Sequence, residues 1–252
     1  MKKDTLLVIP ARYASTRFPA KVLAPLSGKP VLQWVYEACL RADVGAVLIA
    51  TEHKAVVEAA AKFGAKAILT SESCASGTDR IYQASRGRRE KYIVNVQSDE
   101  PFLEPSTLKA VLKKLSADKN ADIATAGARI TDSKEILDPN CVKIAMNKQG
   151  RALYFSRSPI PYHHELSPDC KTAPWYKHCG LYAYKRAALD KFVKLPPSPL
   201  ERLERLEQLR ALEAGMAISC VEVPRLGPAI DVPSDIRKAL AYLKKHRSVG
   251  NA

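Results

Sequence analysis

Short apolar runs alternate with amphipathic stretches through the first half of the chain. Leu6–Pro10, Val44–Thr51, Ala65–Thr70 and Tyr92–Gln97 each read as a strand. The first is apolar throughout, which suits a strand buried on both faces. The spacing between them predicts helices over Pro30–Ala42, His53–Phe63, Thr78–Arg86 and Pro105–Leu115. Pro30 suits a first helical position and Gly64 a stop. Ala121–Ile130 is a further strand. Strands and helices in this order predict an α/β fold, a parallel sheet with helices on both faces.

The pattern changes after about Thr131. Cys141–Met146 and Arg151–Ser156 flank Asn147-Lys148-Gln149-Gly150, a hairpin with glycine in a left-handed turn position. A proline-rich loop runs from Pro159 to Pro174, followed by a strand over Trp175–Tyr184 and a helix over Arg186–Val193. This block reads as a small β-rich lobe at the sheet edge, where oligomers often form. Ser198-Pro199-Leu200-Glu201 is a capping box, and Gly215 closes the helix it opens. Leucines at 200, 203, 206, 209 and 212 recur every three residues, so their stripe drifts around that helix and predicts burial on more than one side. Ala217–Val223 is the last strand and Pro233–Lys245 the last helix. With no repeat or linker, residues 1–252 read as a single domain.

The 252 residues carry 40 Lys and Arg against 26 Asp and Glu, a formal charge of +14. That field attracts anions without choosing among nucleic acid, acidic membranes and phosphorylated substrates. The basic clusters Arg86-Gly87-Arg88-Arg89, Lys113-Lys114 and Lys244-Lys245-His246-Arg247 are short and read as solvated surface. No nucleic-acid motif or aromatic platform accompanies them. The six cysteines form no C-x-x-C pair, which leaves zinc and thioredoxin-like chemistry without support, and they read as reduced. The apolar stretch behind the N-terminus is too short for a signal sequence and no run approaches a membrane span, which predicts a cytoplasmic protein without membrane insertion.

Candidate chemistry starts where the first strand ends. The loop after Pro10 carries Arg12, Arg17 and Lys21. Ligands of open α/β sheets bind beyond the carboxyl ends of strands, so three positive charges there suggest a polyanion, with a triphosphate the obvious candidate. Asp99 follows the fourth strand and is either a Mg²⁺ ligand or a helix cap; the helix starts several residues later, which weakens the cap. Asp231 precedes the last helix and is either its N-cap or a second ligand, and spacing alone favours the cap. Asp235 reads as a first-turn acid. Ser76-Gly77-Thr78-Asp79-Arg80 opens a helix and offers backbone N–H groups. Arg157, at the end of the hairpin, is surface charge or a carboxylate clamp. His178 on a strand and the Glu207-Gln208 pair on a helix expected to be buried complete the set.

Seven segments in order carry a resemblance that spans nearly the whole chain, from Val8 to about Tyr242. They are Ile9–Pro19, Ser76–Arg80, Asn95–Pro101, Ala152–Pro161, His178–Tyr184, Pro197–Glu201 and Leu206–Arg210. With them the sequence resembles the 3-deoxy-manno-octulosonate (Kdo) cytidylyltransferases, or CMP-Kdo synthetases. The resemblance implies a mostly parallel, Rossmann-like nucleotidyltransferase sheet flanked by helices. Residues up to about 131 form its nucleotide-binding half, and residues from about 132 its sugar-binding and oligomerisation half. It implies a homodimer, formed through the lobe. It also implies a reaction. The anomeric hydroxyl of Kdo attacks the α-phosphate of CTP, pyrophosphate leaves, and CMP-Kdo forms for lipopolysaccharide biosynthesis.

By the same resemblance Arg12 and Lys21 bind the triphosphate and stabilise the leaving pyrophosphate. Ala11 and the turn with Ser76, Gly77, Thr78 and Arg80 lie around the cytidine. Asp99 and Asp231 hold Mg²⁺, and Gln97, Arg157, His178, Tyr182, Glu207 and Gln208 surround the sugar acid. The family's usual Pro-Gly-Lys-Pro stands here as Pro19-Ala20-Lys21-Val22, and its Gln-Gly-Asp-Glu-Pro as Gln97-Ser98-Asp99-Glu100-Pro101. Alanine disfavours positive φ and is expected to displace Lys21. Ser98 either crowds the carboxylate or adds a hydrogen bond. Two alternatives follow: a relative acting on a modified acid sugar such as amino-Kdo, and a paralogue that binds but turns over poorly.

Overall fold

The structure is a computed structural model, and it describes residues 1–15, 17–162 and 174–247. Thr16, Cys170 and most of the proline-rich Pro159–Pro174 loop lie outside the described residues. In chain order the elements are β1 (Thr5–Pro10), β2 (Pro25–Leu26), β3 (Lys29–Pro30), α1 (Val31–Ala42), β4 (Ala46–Thr51), α2 (Lys54–Lys62), β5 (Ala67–Leu69), α3 (Gly77–Ser85) and β6 (Tyr92–Val96). Then come α4 (Pro105–Ala117), β7 (Ile123–Arg129), α5 (Ser133–Leu137), β8 (Lys143–Met146), β9 (Ala152–Ser156), β10 (Tyr176–Lys185) and α6 (Arg186–Phe192). The chain closes with α7 (Pro199–Glu204), α8 (Gln208–Glu213), β11 (Ile218–Val223) and α9 (Asp235–Arg247). The fold class is α/β, with mostly parallel strands flanked by helices. Two compact units share these elements, one of Met1–Leu108 and Leu226–Ala252, the other of Lys109–Arg225.

The first unit is built on parallel strands in the order β6-β1-β4-β5. Val8 pairs with Asn95 on one side and Leu48 on the other. The apolar run of β1 is explained by this place: Leu6 to Ile9 are fully buried. Gly45 is required before β4, because a Cβ there would come 2.2 Å from the Thr5 carbonyl oxygen. The His53 side chain caps α2 by accepting the Ala55 N–H, and Gly64 follows at φ +73°. The segment after Leu226 is part of this unit's core. Ile230 and Ala239 cluster with Leu26 and Val31, and Phe18, Trp34 and Phe102 pack around them.

In the second unit β7 pairs antiparallel with β10 and parallel with β11. The hairpin β8–β9 turns at residues 147–150, with Gly150 at φ +75°. β8 also pairs with β10. A register shift between Cys179 and Tyr182 places Gly180 and Leu181 outside regular pairing. Ile130, Ile136 and Trp175 form a smaller apolar cluster around the short α5, which the sequence pattern does not reveal.

The single helix expected from Ser198 to Gly215 is two helices. The capping box forms as read, with Ser198 and Glu201 bonding each other's backbone N–H groups. The chain then turns at Arg205, whose φ is +53°. The break resolves the drifting leucine stripe: Leu203 stays 80% exposed, while Leu206 and Leu209 are 6% and 0% exposed. Among the described residues of α7 none is buried, so burial on several sides does not occur there. A two-point ion pair from Arg210 to Glu201 ties the helices across the break, with Nε to Oε2 at 2.7 Å. Among the described residues, Cys39, Cys179 and Cys220 are buried and Cys74 and Cys141 partly so, all with free thiols.

Candidate functional site

Because β1 is buried on both faces, the first charged residue after Asp4 is Arg12, just beyond its carboxyl end, where parallel sheets place ligands. Ala11 is still fully buried, and its N–H donates to the Ala50 carbonyl at 2.8 Å. Arg12 is exposed. The loop then folds back on itself. The Ala20 N–H donates to the Tyr13 carbonyl (3.0 Å), Lys21 N–H to Phe18 (3.1 Å) and Leu23 N–H to Ala20 (2.8 Å).

Ala20 stands at φ 54°, ψ 24°, in the left-handed region. The sequence predicts that alanine would avoid this conformation and displace Lys21. The turn's hydrogen bonds impose it instead, and Lys21 is seated. Its Nζ donates to Asp99 Oδ2 at 2.9 Å and to Asp231 Oδ1 at 3.0 Å. The Lys21 side chain is only 12% exposed. Burial opposes its charge, but the two carboxylates outweigh burial and hold its pKa above the ordinary lysine value.

Asp99 follows β6, and Asp231 comes from the segment before α9. Their alignment is fixed by the backbone, since the Ile230 N–H donates to the Asp99 carbonyl at 2.9 Å. Asp231 is not a helix cap: α9 begins at Asp235, and Asp231 spends its second oxygen on Arg17 Nη1 at 3.0 Å. The cap-like role falls to Asp235, whose carboxylate accepts the N–H groups of Asp231 and Val232. Burial alone would raise the Asp235 pKa, but these bonds and Lys238 bring it below the usual carboxylate value.

A cleft of about 290 Å³ is lined by Arg12, Arg17, Lys21, Ser76, Gly77, Arg80, Gln97, Ser98, Asp99 and Asp231, among others. It therefore gathers most of the nucleotide-side and metal-side residues named from the sequence. Thr78 is buried beside them in α3. Ser76 is used locally, capping α3 in a reciprocal box with Asp79. Arg80 is 2% exposed and its guanidinium is directed at Glu52 (3.1 Å) and Thr70. Gln97 donates to Asn95 Oδ1 at 3.3 Å. A larger hollow of about 620 Å³ lies elsewhere in this unit beside Leu48, Val57, Ala65 and Ile68, but its largely aliphatic wall brings no carboxylates together.

Among the described residues no group of three or more His, Cys, Asp and Glu side chains converges as a metal cage. The donor set at Lys21 is two carboxylates. That matches a hard divalent ion that completes its coordination with phosphate oxygens and water, which is how Mg²⁺ is usually held at nucleotide sites.

The sugar-side residues other than Gln97 belong to the second unit. His178 is partly buried between Phe155, edge-on at 5.1 Å, and Tyr182, also 5.1 Å away between ring centroids. Thr125 donates its hydroxyl hydrogen to the Leu181 carbonyl (2.7 Å), so at 2.9 Å it accepts from His178 Nε2–H. Burial pushes the His178 pKa down to about 3, so the ring is neutral. Burial raises Tyr182 well above its ordinary value, with Tyr184 and Glu207 adding to the effect. Glu207 stands at the N-cap position of α8, and Gln208 is buried in its first turn. Arg157 is engaged by the fold: Nε donates to the Glu204 carbonyl (2.8 Å) and Nη1 to the Pro139 carbonyl (2.9 Å).

Glu52, Arg17 and Lys143 carry contacts that sequence reasoning does not assign. Lys143 is fully buried, and its ammonium donates to the carbonyls of Asp138 and Arg157 at 2.8 and 2.6 Å. Glu52 and Arg17 meet their partners across many residues of sequence, so spacing offers no signal for them, and the Lys143 bonds to backbone carbonyls leave no mark in side-chain pattern.

A family model described as cytidylyltransferase matches residues 6–218. The 3-deoxy-manno-octulosonate cytidylyltransferase of Elusimicrobium minutum is 53% identical over 243 residues, covering 96% of this chain and 99% of that protein. The protein of the same name from Synechococcus elongatus is 47% identical, covering 94% and 97%. A solved structure of CMP:2-keto-3-deoxy-manno-octonic acid synthetase complexed with CTP superposes with a TM-score of 0.90 at 38% identity, covering 97% of this chain and all of that one. A 4-diphosphocytidyl-2C-methyl-D-erythritol synthase from Anaerococcus prevotii, 12% identical with a TM-score of 0.62, shares the fold alone.

Proposed function

The chain belongs to the cytidylyltransferase family, and from that premise we propose that it transfers CMP from CTP to the anomeric hydroxyl of Kdo, releasing pyrophosphate. The observation that carries this reading is the cluster of Lys21, Asp99 and Asp231 beside Arg12 and Arg17, in a cleft at the carboxyl end of β1. In the reaction a bond forms between the sugar oxygen and the α-phosphorus, and the bond from that phosphorus to the bridging oxygen of pyrophosphate breaks. The hydroxyl proton passes to solvent. Arg12 and Lys21 carry the charge that the leaving pyrophosphate develops, the electrostatic contribution expected to dominate such a step. Seating the triphosphate against fixed cations also sets the α-phosphorus for in-line attack. Asp99 and Asp231 are the residues to hold Mg²⁺, which when bound supplies Lewis-acid charge to the phosphoryl oxygens.

Within the second unit Arg157, His178, Tyr182, Glu207 and Gln208 are proposed to receive the acid sugar. A neutral His178, with its proton on Nε2 committed to Thr125, suits orientation of a hydroxyl better than proton transfer. The proposal includes a homodimer formed through the second unit, as the resemblance implies. Use of CTP supports a cytoplasmic location, and among the described residues no helix is long and apolar enough to cross a membrane. The seated Lys21 favours turnover over a binding-only paralogue. Pyrophosphate release measured with CTP, Mg²⁺ and either Kdo or amino-Kdo tests the proposal. Rapid release with Kdo supports it; release only with the modified sugar, or none with either, rejects it.

A further inference from the structure

Glu52 follows β4 directly and takes no part in the transfer described above. Its side chain is 10% exposed. Oε1 accepts the N–H groups of two successive loop residues, Tyr13 at 2.7 Å and Ala14 at 3.4 Å. Oε2 lies 3.1 Å from Arg80 Nη1 in an ion pair that is not an aligned hydrogen bond. Arg80 is itself buried and bonds Thr70, whose N–H donates to the Thr51 carbonyl at 2.8 Å. The next residue, His53, stacks on Tyr13 with ring centroids 3.9 Å apart and planes 13° from parallel. A carboxylate and a ring from the end of β4 thus grip loop positions 13 and 14, between Arg12 and Arg17.

We propose that Glu52 is a positioning residue for the nucleotide: paired with Arg80, it holds the loop that carries Arg12 and Arg17 in its triphosphate-receiving form. Adjacent backbone N–H groups can form an anion-binding concavity. Here the protein's own carboxylate occupies the two N–H groups, and the exposed side chains of Arg12 and Arg17 flank them, Arg17 with Nη1 on Asp231. A loop fixed in this way loses less conformational freedom when CTP arrives. The proposal rests on CTP being the nucleotide, as argued above.

The test compares Glu52→Ala, Glu52→Gln and His53→Asn in the full chain. Glutamine keeps an oxygen for the two N–H groups; asparagine keeps a cap for α2 while removing the ring. Three readouts are taken: CTP affinity by titration calorimetry without sugar, KM for CTP and for Kdo, and tryptic cleavage after Arg12 and Arg17 in the native protein. Glu52→Ala is expected to weaken CTP binding and raise its KM about tenfold or more, leaving KM for Kdo within about twofold, because only the loop's order is lost. Cleavage at both arginines should accelerate. Glu52→Gln should recover most of the loss, and His53→Asn should weaken CTP binding about threefold. Unchanged CTP affinity and cleavage in Glu52→Ala overturns the proposal, as does a parallel rise in both KM values. If Glu52→Ala fails to fold, the other two variants decide, and wild-type behaviour in both overturns it. Absence of turnover with Kdo in the unaltered protein would defeat the functional reading alone, since CTP titration and proteolysis still judge Glu52.

Discussion

Replacing Ala20 by glycine isolates the strain in the opening loop. Ala20 holds φ 54° because three backbone hydrogen bonds close the turn around it, from Ala20, Lys21 and Leu23. A residue with a Cβ is less stable in this region by about 1–2 kcal/mol. Glycine relieves that cost but gives the unfolded chain more freedom, which offsets about 0.4–1 kcal/mol. The balance is a stabilisation of about 0.5–1 kcal/mol, with the turn intact. For a chain of this size the shift in melting temperature is about 1–4 °C upward. Scanning calorimetry of both proteins without ligand measures it. Since Lys21 already bonds both carboxylates, kcat/KM should change less than about threefold. A lower melting temperature would refute the strain argument. A gain in kcat/KM of about a hundredfold would refute the claim that Lys21 is seated in the alanine form.

Lys21→Met leaves Asp99 and Asp231 facing each other, and because both are about a third exposed the loss of stability in urea should be about 1–2 kcal/mol. Asp231→Asn added to it should recover stability but not rate, with kcat down about a hundredfold or more in both. His178 has a folded pKa near 3, below its ordinary 6.5, so the unfolded chain binds the proton more readily. Its contribution to stability is therefore present above about pH 6.5 and falls as the pH drops towards 3. His178→Gln should flatten that acid limb in urea titrations, and the ring should show no ionisation by NMR between pH 5 and 8. Arg157→Lys gives up the fork that reaches the Pro139 and Glu204 carbonyls, and urea unfolding should show a loss of about 1–2 kcal/mol.

Much of the fold was readable because its signals are local. The apolar run of β1, the glycine after α2, the hairpin at Gly150 and the capping box at Ser198 each act within a few residues. The break at Arg205 was not readable, because arginine gives no mark of a left-handed conformation; only the burial of Leu206 and Leu209 decides it. The candidate site divides in the same way. Arg12 and Asp99 stand just past strand ends, where the pattern points, and Lys21 lies in the loop that follows the first of them. Asp231 could be read as a cap because the ammonium it binds is 210 positions away, and spacing carries nothing over that range. Ala20 shows the limit of propensity, since the turn's hydrogen bonds override what alanine prefers alone.

The division of the chain into units has a consequence for biosynthesis. Residues 109–225 interrupt the sequence of the first unit, whose core and cleft need Ile230 and Asp231 from its returning segment. A nascent chain made from its amino end already displays Arg12, Lys21 and Asp99, yet it has no second carboxylate for the lysine and no Ile230 to seal the apolar cluster. Translation at about 5–20 residues per second sets a delay of about 6–25 s between synthesis of residue 108 and of residue 231. During that interval Leu26 and Val31 lack the apolar partners Ile230 and Ala239, while every residue of the second unit, being contiguous in sequence, has already been made by the time Ile230 appears. The returning segment thus sets the timing, and the cleft for the nucleotide is complete only once Asp231 has been made.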